Sequence, residues 1–245
     1  MPRFSALDLR RDLPALLRAA RRELGATAAL LVAALSAMAF LTIADEVAEG
    51  ETRVIDLAIL DALRQPGRPR DLIGPDWLHV AAVDITSLGS LAVLTLLILL
   101  AFGVLACLRR WGEGLLLVVG AGGGLAISQG LKLLFGRERP DVDYRAVEAV
   151  NASFPSGHAM LSAVVFLTLG ALAARFAERK RLKALALGAA VTLSLLVGLS
   201  RIYLGVHWAS DVLAGWCVGA AWAMVCWLAA FAWTRWRAGP GNPAR

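Results

Sequence analysis

Six stretches of this chain contain no Asp, Glu, Lys or Arg: residues 25–44, 85–108, 115–131, 159–174, 184–200 and 212–234. Each approaches the ~20 residues that a helix needs to cross a ~30 Å hydrocarbon core, the shorter ones with a turn of partly polar flank added. The runs are continuously apolar, whereas a membrane barrel would alternate apolar and polar positions over strands of roughly ten residues. The pattern therefore predicts an all-α polytopic membrane protein, with six transmembrane helices in one domain over residues 25–234. Residues 1–24 and 235–245 flank it. Between the first two spans, residues 45–84 break at Pro66-Gly67, Pro69 and Gly74-Pro75, but 54–63 keeps helical periodicity. That piece is expected either to lie flat at the membrane interface or to be a solvated linker.

Composition agrees with the span count: 58% of residues are hydrophobic and the mean hydropathy is +0.66. Charge then gives an orientation, because Lys and Arg concentrate in loops that stay cytoplasmic. With six spans both termini share a side, and that side holds 16 of the 25 basic residues but 5 of the 19 acidic ones. Both termini are expected in the cytoplasm, and loops 45–84, 132–158 and 201–211 on the outer face. A basic cytoplasmic face beside anionic lipid accounts for the pI near 9.9 without a nucleic-acid partner. Residues 3–22 set Leu7, Leu13, Leu16 and Leu17 among arginines, the pattern of a basic amphipathic helix on the membrane surface. Ala37-Met38-Ala39 looks like a signal-peptide cleavage site, yet the apolar run is too long, and its loss would leave five spans and spoil the charge partition.

Cys107, Cys217 and Cys226 lie in or at the edge of apolar runs and are odd in number, so no disulfide framework is expected. No Cys/His set has zinc spacing and no HExxH or calcium-loop pattern occurs, which argues against a protein-held metal. Glycines at 120 and 122–124 fall within a span with no strand before them, so close helix packing explains them better than a phosphate loop.

Three polar clusters remain, all on the predicted outer face. Lys132 and Arg139 are seven residues apart, two turns along one face if the third helix continues to Pro140. Alone, they read as basic side chains snorkelling to headgroups. Phe154-Pro155-Ser156-Gly157-His158 precedes the fourth span, where Ser156 is placed to cap the helix and Gly157 lets a ligand approach its N–H groups. His158 would lie beside any anion bound there. In the third cluster, running from Ser200-Arg201 to His207 and Asp211, the last two residues are four apart. On a helix the carboxylate would accept from one ring nitrogen and free the other for attack. Cations and N–H donors for phosphoryl oxygens, a histidine nucleophile and a second histidine for the leaving oxygen together match the needs of phosphoryl transfer. His79 stands outside these clusters and is read as interfacial.

These residues resemble the three-part signature of the type 2 phosphatidic acid phosphatase superfamily, K-x6-R-P, P-S-G-H and S-R-x5-H-x3-D, with every fixed position present. The resemblance implies that His207 attacks phosphorus and is oriented by Asp211, and that His158 protonates the departing lipid oxygen. It also implies that Lys132, Arg139, Arg201 and the backbone at Ser156 and Gly157 hold the phosphate. Cofactor and metal are expected to be none. The expected partners are the bilayer and a phosphorylated membrane lipid, with undecaprenyl diphosphate favoured over phosphatidylglycerophosphate, phosphatidic acid and lipid A phosphates. A bacterial plasma membrane is the expected setting. Two alternatives stay open: an oxidase like the vanadium haloperoxidases, which share the motifs, and a non-enzymatic protein that binds or transports an anion.

Overall fold

The computed structural model describes residues 9–238, with side-chain surroundings for 23–236. Its helices are α1 (Leu9–Glu49), α2 (Arg53–Ala62), α3 (Asp76–Ser87), α4 (Leu91–Cys107), α5 (Trp111–Phe135), α6 (Gly157–Phe176), α7 (Lys180–Tyr203) and α8 (Ala209–Ala238). A two-stranded antiparallel ribbon, β1 (Arg64–Gln65) with β2 (Arg68–Leu72), follows α2. Among the described residues five helices are long and apolar enough to cross a membrane, and α3 with α4 makes a sixth span if that bent pair is one. The expected amphipathic segment 3–22 begins outside the described residues; from Leu9 it is helical and continuous with the first span. The expected tail likewise continues α8 to Ala238, and 239–245 lie outside the described residues.

The second span departs from expectation. Instead of one helix over 85–108, α3 and α4 meet at 51°. Ser90 starts the new helix, its hydroxyl accepting from the Val93 N–H at 3.3 Å. Gly89 sits at the corner, where a Cβ would come within 3.0 Å of Val197 Cγ1 and 3.3 Å from His158 Cδ2. An uninterrupted apolar run therefore hides a sharp corner, because a serine cap and a glycine are both compatible with apolar surroundings.

Helix α6 is the middle of the bundle, packed against α5, α7 and α8, with α1 on the outer side of α8. Its contact with α8 is close because Gly215 and Gly219 present no side chain: a Cβ would lie 2.7 Å from Ser156 O at the first and 2.6 Å from Met160 O at the second. Small residues four apart serve membrane helices in this way. In the α5 stretch, Gly123 gives space to the Trp222 indole, whose Nε1 donates to Gly120 O at 2.7 Å. The consequence for function is positional. α1, α5 and α7 end, and α6 and α8 begin, at the same end of the bundle.

Candidate active site

At that end the segments named from the sequence converge. Helix α5 stops at Phe135 because Gly136 takes a left-handed φ of +56°, its N–H returning to Lys132 O. Arg139 is thus not two helical turns beyond Lys132 as expected, but lies in the irregular segment that follows. The two cations still meet, since Lys132 Nζ donates to Ala152 O at 2.7 Å and Arg139 Nη2 reaches the same oxygen at 3.5 Å. Backbone carbonyls hold Arg139 further: Nε donates to Asn151 O at 2.9 Å and Nη1 to Val206 O at 2.6 Å. Burial lowers its pKa below the ordinary arginine value, where an arginine still keeps its charge.

Ser156 is the N-cap of α6, its hydroxyl accepting from the Ala159 N–H at 3.5 Å. The first intrahelical bond runs from Met160 N to Ser156 O, so the N–H groups of Gly157 and His158 precede the ladder. Above them passes Lys132, whose Cε would be 3.7 Å from a Cβ on Gly157. On α7, Arg201 Nη1 donates to Thr86 Oγ1 at 3.0 Å, while Arg201 Nε is buried without a partner. A buried donor without an acceptor is costly, and a phosphate oxygen would satisfy it.

His207 and Asp211 do not share a helix face as expected. Helix α8 begins at Ala209, so His207 precedes it and the Asp211 carboxylate folds back, as in a capping box. Asp211 Oδ2 accepts from Trp208 N at 2.9 Å and from His207 Nδ1 at 3.3 Å, and also from Ser153 Oγ. A carboxylate at Nδ1 calls for the proton on that nitrogen and leaves Nε2 as the acceptor. Arg139 Nη1 lies 3.2 Å from Nε2. Complete burial pushes the His207 pKa down to about 3, so the ring is neutral at physiological pH.

Several contributors were missed from sequence. Arg137 Nη1 donates to Asp211 Oδ1 and to Ser210 Oγ, both at 2.7 Å, while Nη2 reaches Asp56 Oδ2 at 2.9 Å and Thr52 Oγ1 at 3.0 Å. Asp56 in turn accepts from Ser210 N at 2.9 Å and Ser210 Oγ at 2.6 Å. Its residue pattern held the clue: Asp56 precedes Leu60 by four on α2, so an acid sits on the stripe that goes inward. Ser153 and Thr86 offered no such signal, being small polar residues identifiable only by contact.

Beside Arg139 opens a cavity of about 500 Å³, lined also by Arg137, Asp141, Arg145, Asn151 and Ala152. Among the described residues no group of three or more His, Cys, Asp or Glu could hold a metal ion. His79 is exposed on α3 and is not among the residues lining the site.

The chain is similar to known proteins in sequence and fold. A family model described as the PAP2 superfamily matches residues 113–235. Phosphatidylglycerophosphatase B of Bacillus subtilis is 32% identical over 153 residues, 60% of this chain and 73% of that protein. Decaprenylphosphoryl-5-phosphoribose phosphatase of Mycobacterium tuberculosis is 37% identical over 127 residues, 51% of this chain and 65% of that protein. The crystal structure of a transmembrane PAP2-type phosphatidylglycerolphosphate phosphatase from Bacillus subtilis matches with a TM-score of 0.71 at 30% identity, covering 79% of this chain and 93% of that one.

Proposed function

This chain belongs to the PAP2 superfamily and is a lipid phosphatase, and from that premise we propose that it removes a terminal phosphate from a membrane lipid through a phosphohistidine on His207, without a divalent metal. The observation that carries the reading is the placement of the His207 ring: Nδ1 faces the Asp211 carboxylate at 3.3 Å and Nε2 faces the Arg139 guanidinium at 3.2 Å, the surroundings of an Nδ1–H tautomer. Nε2 attacks phosphorus as the bond to the lipid oxygen breaks, and His158, which takes up a proton when the phosphate anion binds beside it, gives that proton to the departing oxygen. The phosphorylated ring becomes cationic, and Asp211 stabilises it through the Nδ1–H. Water then attacks the phosphoenzyme, passing a proton to His158, and inorganic phosphate leaves. Lys132, Arg139, Arg201 and the N–H groups of Gly157 and His158, held in place by the Ser156 cap, surround the equatorial oxygens and supply the field that a metal supplies in other phosphatases.

Two considerations bear on the substrate. An outward-facing site favours undecaprenyl diphosphate, left on the outer leaflet after its cargo is released. The extent of the match favours phosphatidylglycerophosphate, the substrate named by the relative that covers most of this chain, and we rank it first. The charge partition supports an outward-facing site in a bacterial plasma membrane.

Purified protein in detergent, assayed in excess EDTA, is expected to release phosphate from phosphatidylglycerophosphate faster than from undecaprenyl diphosphate or phosphatidic acid. His207→Ala should abolish both turnover and the acid-labile phosphoprotein trapped on rapid quenching. A mutant keeping a tenth of the activity, or activity that depends on one divalent ion, refutes the mechanism. Halide oxidation with vanadate, or anion binding without turnover, would support the alternatives instead.

A further inference from the structure

The buried acid that orients His207 is itself held by Arg137, and through it by Asp56, neither of which is a fixed position of the three motifs. Arg137 stands between two carboxylates, Asp211 at 2.7 Å and Asp56 at 2.9 Å, and all three side chains are at least 85% buried. Its guanidinium also lies over the Trp208 ring, 5.6 Å from the centroid, and Trp208 is the residue between His207 and α8. Each carboxylate has a divided task. Asp211 gives Oδ1 to Arg137 and Oδ2 to His207, Ser153 and Trp208 N, and Asp56 gives both oxygens to Ser210 and one to Arg137.

We propose that Arg137 and Asp56 are positioning residues: together they fix the rotamer and the charge of Asp211, and so the aim and basicity of His207. This rests on the reading of His207 as the nucleophile. Two carboxylates and one guanidinium leave the cluster one negative charge in excess. The imidazolium formed on phosphorylation cancels that charge, so the cluster is complete in the intermediate and incomplete in the resting state. Removing Arg137 leaves two facing carboxylates, one of which then takes a proton or turns away from His207. Removing Asp56 leaves Arg137 wholly on Asp211, which weakens the acid's hold on the ring. Neither residue is assigned to the phosphate, because both Nη groups of Arg137 are taken up by Asp211, Ser210, Asp56 and Thr52, whereas Arg139 Nη1 lies 3.2 Å from Nε2.

Such a role separates kcat from KM. Arg137→Met and Asp56→Asn are each expected to lower kcat, and the rate of phosphoenzyme formation, by about ten- to hundredfold. KM and inhibition by inorganic phosphate should move less than about threefold, and Arg137→Lys should recover most of kcat. Because a single change leaves a buried charge uncompensated, the double variant Arg137→Met/Asp56→Asn is the second arm. It keeps the net charge of the cluster and should regain melting temperature without regaining kcat. Turnover restored in the double variant would make the pair a structural salt bridge and overturn the proposal, as would a rise in KM at constant kcat. If the normal protein forms no phosphoenzyme at His207, the mechanism fails first; a normal phosphoenzyme with unaltered formation in the variants fails this inference alone.

Discussion

Gly89→Ala tests whether the α3–α4 corner sets the position of His158. The added Cβ would fall within 3.0 Å of Val197 Cγ1, 3.3 Å from His158 Cδ2 and 3.4 Å from His158 Cβ. Carbon atoms pack best at about 3.5–4.0 Å, so at least about 0.5 Å of movement must be shared between the corner, Val197 and the histidine. Val197 is fully buried between α4 and α6, and overpacking at such a site costs about 1–3 kcal/mol. Part of the displacement falls on His158, and a misplacement of about 1 Å can cost about a hundredfold in rate. We expect kcat on a lipid phosphate to fall by about ten- to hundredfold. The loss should be smaller on an aryl phosphate, whose leaving oxygen needs little protonation. Removing the obstructing methyl in Gly89→Ala/Val197→Ala should recover a large part of the lipid activity. Equal losses on the two substrates, or no recovery in the double variant, would refute the idea that the corner acts through His158.

Two further outcomes follow from the charges. His207 titrates at about 3 in the fold, against 6.5 for an ordinary histidine, so between these values the unfolded chain binds a proton that the folded chain does not. Stability must therefore fall as pH drops from about 6.5 toward 3, and His207→Gln should flatten that part of a melting-temperature profile in detergent; an unchanged slope would contradict the buried neutral ring. For sidedness, single cysteines at Val142 and Glu178, both exposed, in a cysteine-free background, should react with an impermeant thiol reagent in intact cells at Val142 only, and labelling at Glu178 instead would invert the topology.

Periodicity and charge made the membrane class and most span positions legible, since lipid demands long uninterrupted apolar runs. The bend at Gly89 was not legible, because a corner buried among helices leaves the composition apolar. Motif spacing singled out Lys132, Ser156, Gly157, Arg201 and the two histidines as candidates, and the fold gathers them at one end of the bundle, but the spacing misjudged the local geometry twice. Gly136 ends α5 before Arg139, and His207 lies outside α8, so the groups named from spacing meet at one end of the bundle by a path that helical spacing did not give. Arg137, two residues before Arg139, was passed over because a basic residue at a helix end reads as a headgroup contact until its two acids are seen.

The two helix starts at the site are used for opposite purposes. Both α6 and α8 direct the positive ends of their dipoles and their unpaired N–H groups to this end of the bundle. At α8 protein carboxylates take that field: Asp211 accepts from Trp208 N and Asp56 from Ser210 N. The negative charge gathered there faces His207 Nδ1, where in the proposed mechanism the phosphorylated ring becomes cationic. At α6 the cap is a neutral serine bound to Ala159 N, and among the described residues no carboxylate accepts from the Gly157 or His158 N–H. That field stays available for an anion, beside Lys132 and across from Arg139. Exchanging the caps would defeat both functions: an acid in place of Ser156 would repel the phosphate, and a serine in place of Asp211 would leave the imidazolium unsupported. Ser156→Asp is therefore expected to raise KM by at least about tenfold, while Ser156→Ala, which removes one weak 3.5 Å bond, should cost only about 1 kcal/mol of stability. Equal kinetics in the two variants would show that the helix start does not bind the substrate's phosphate.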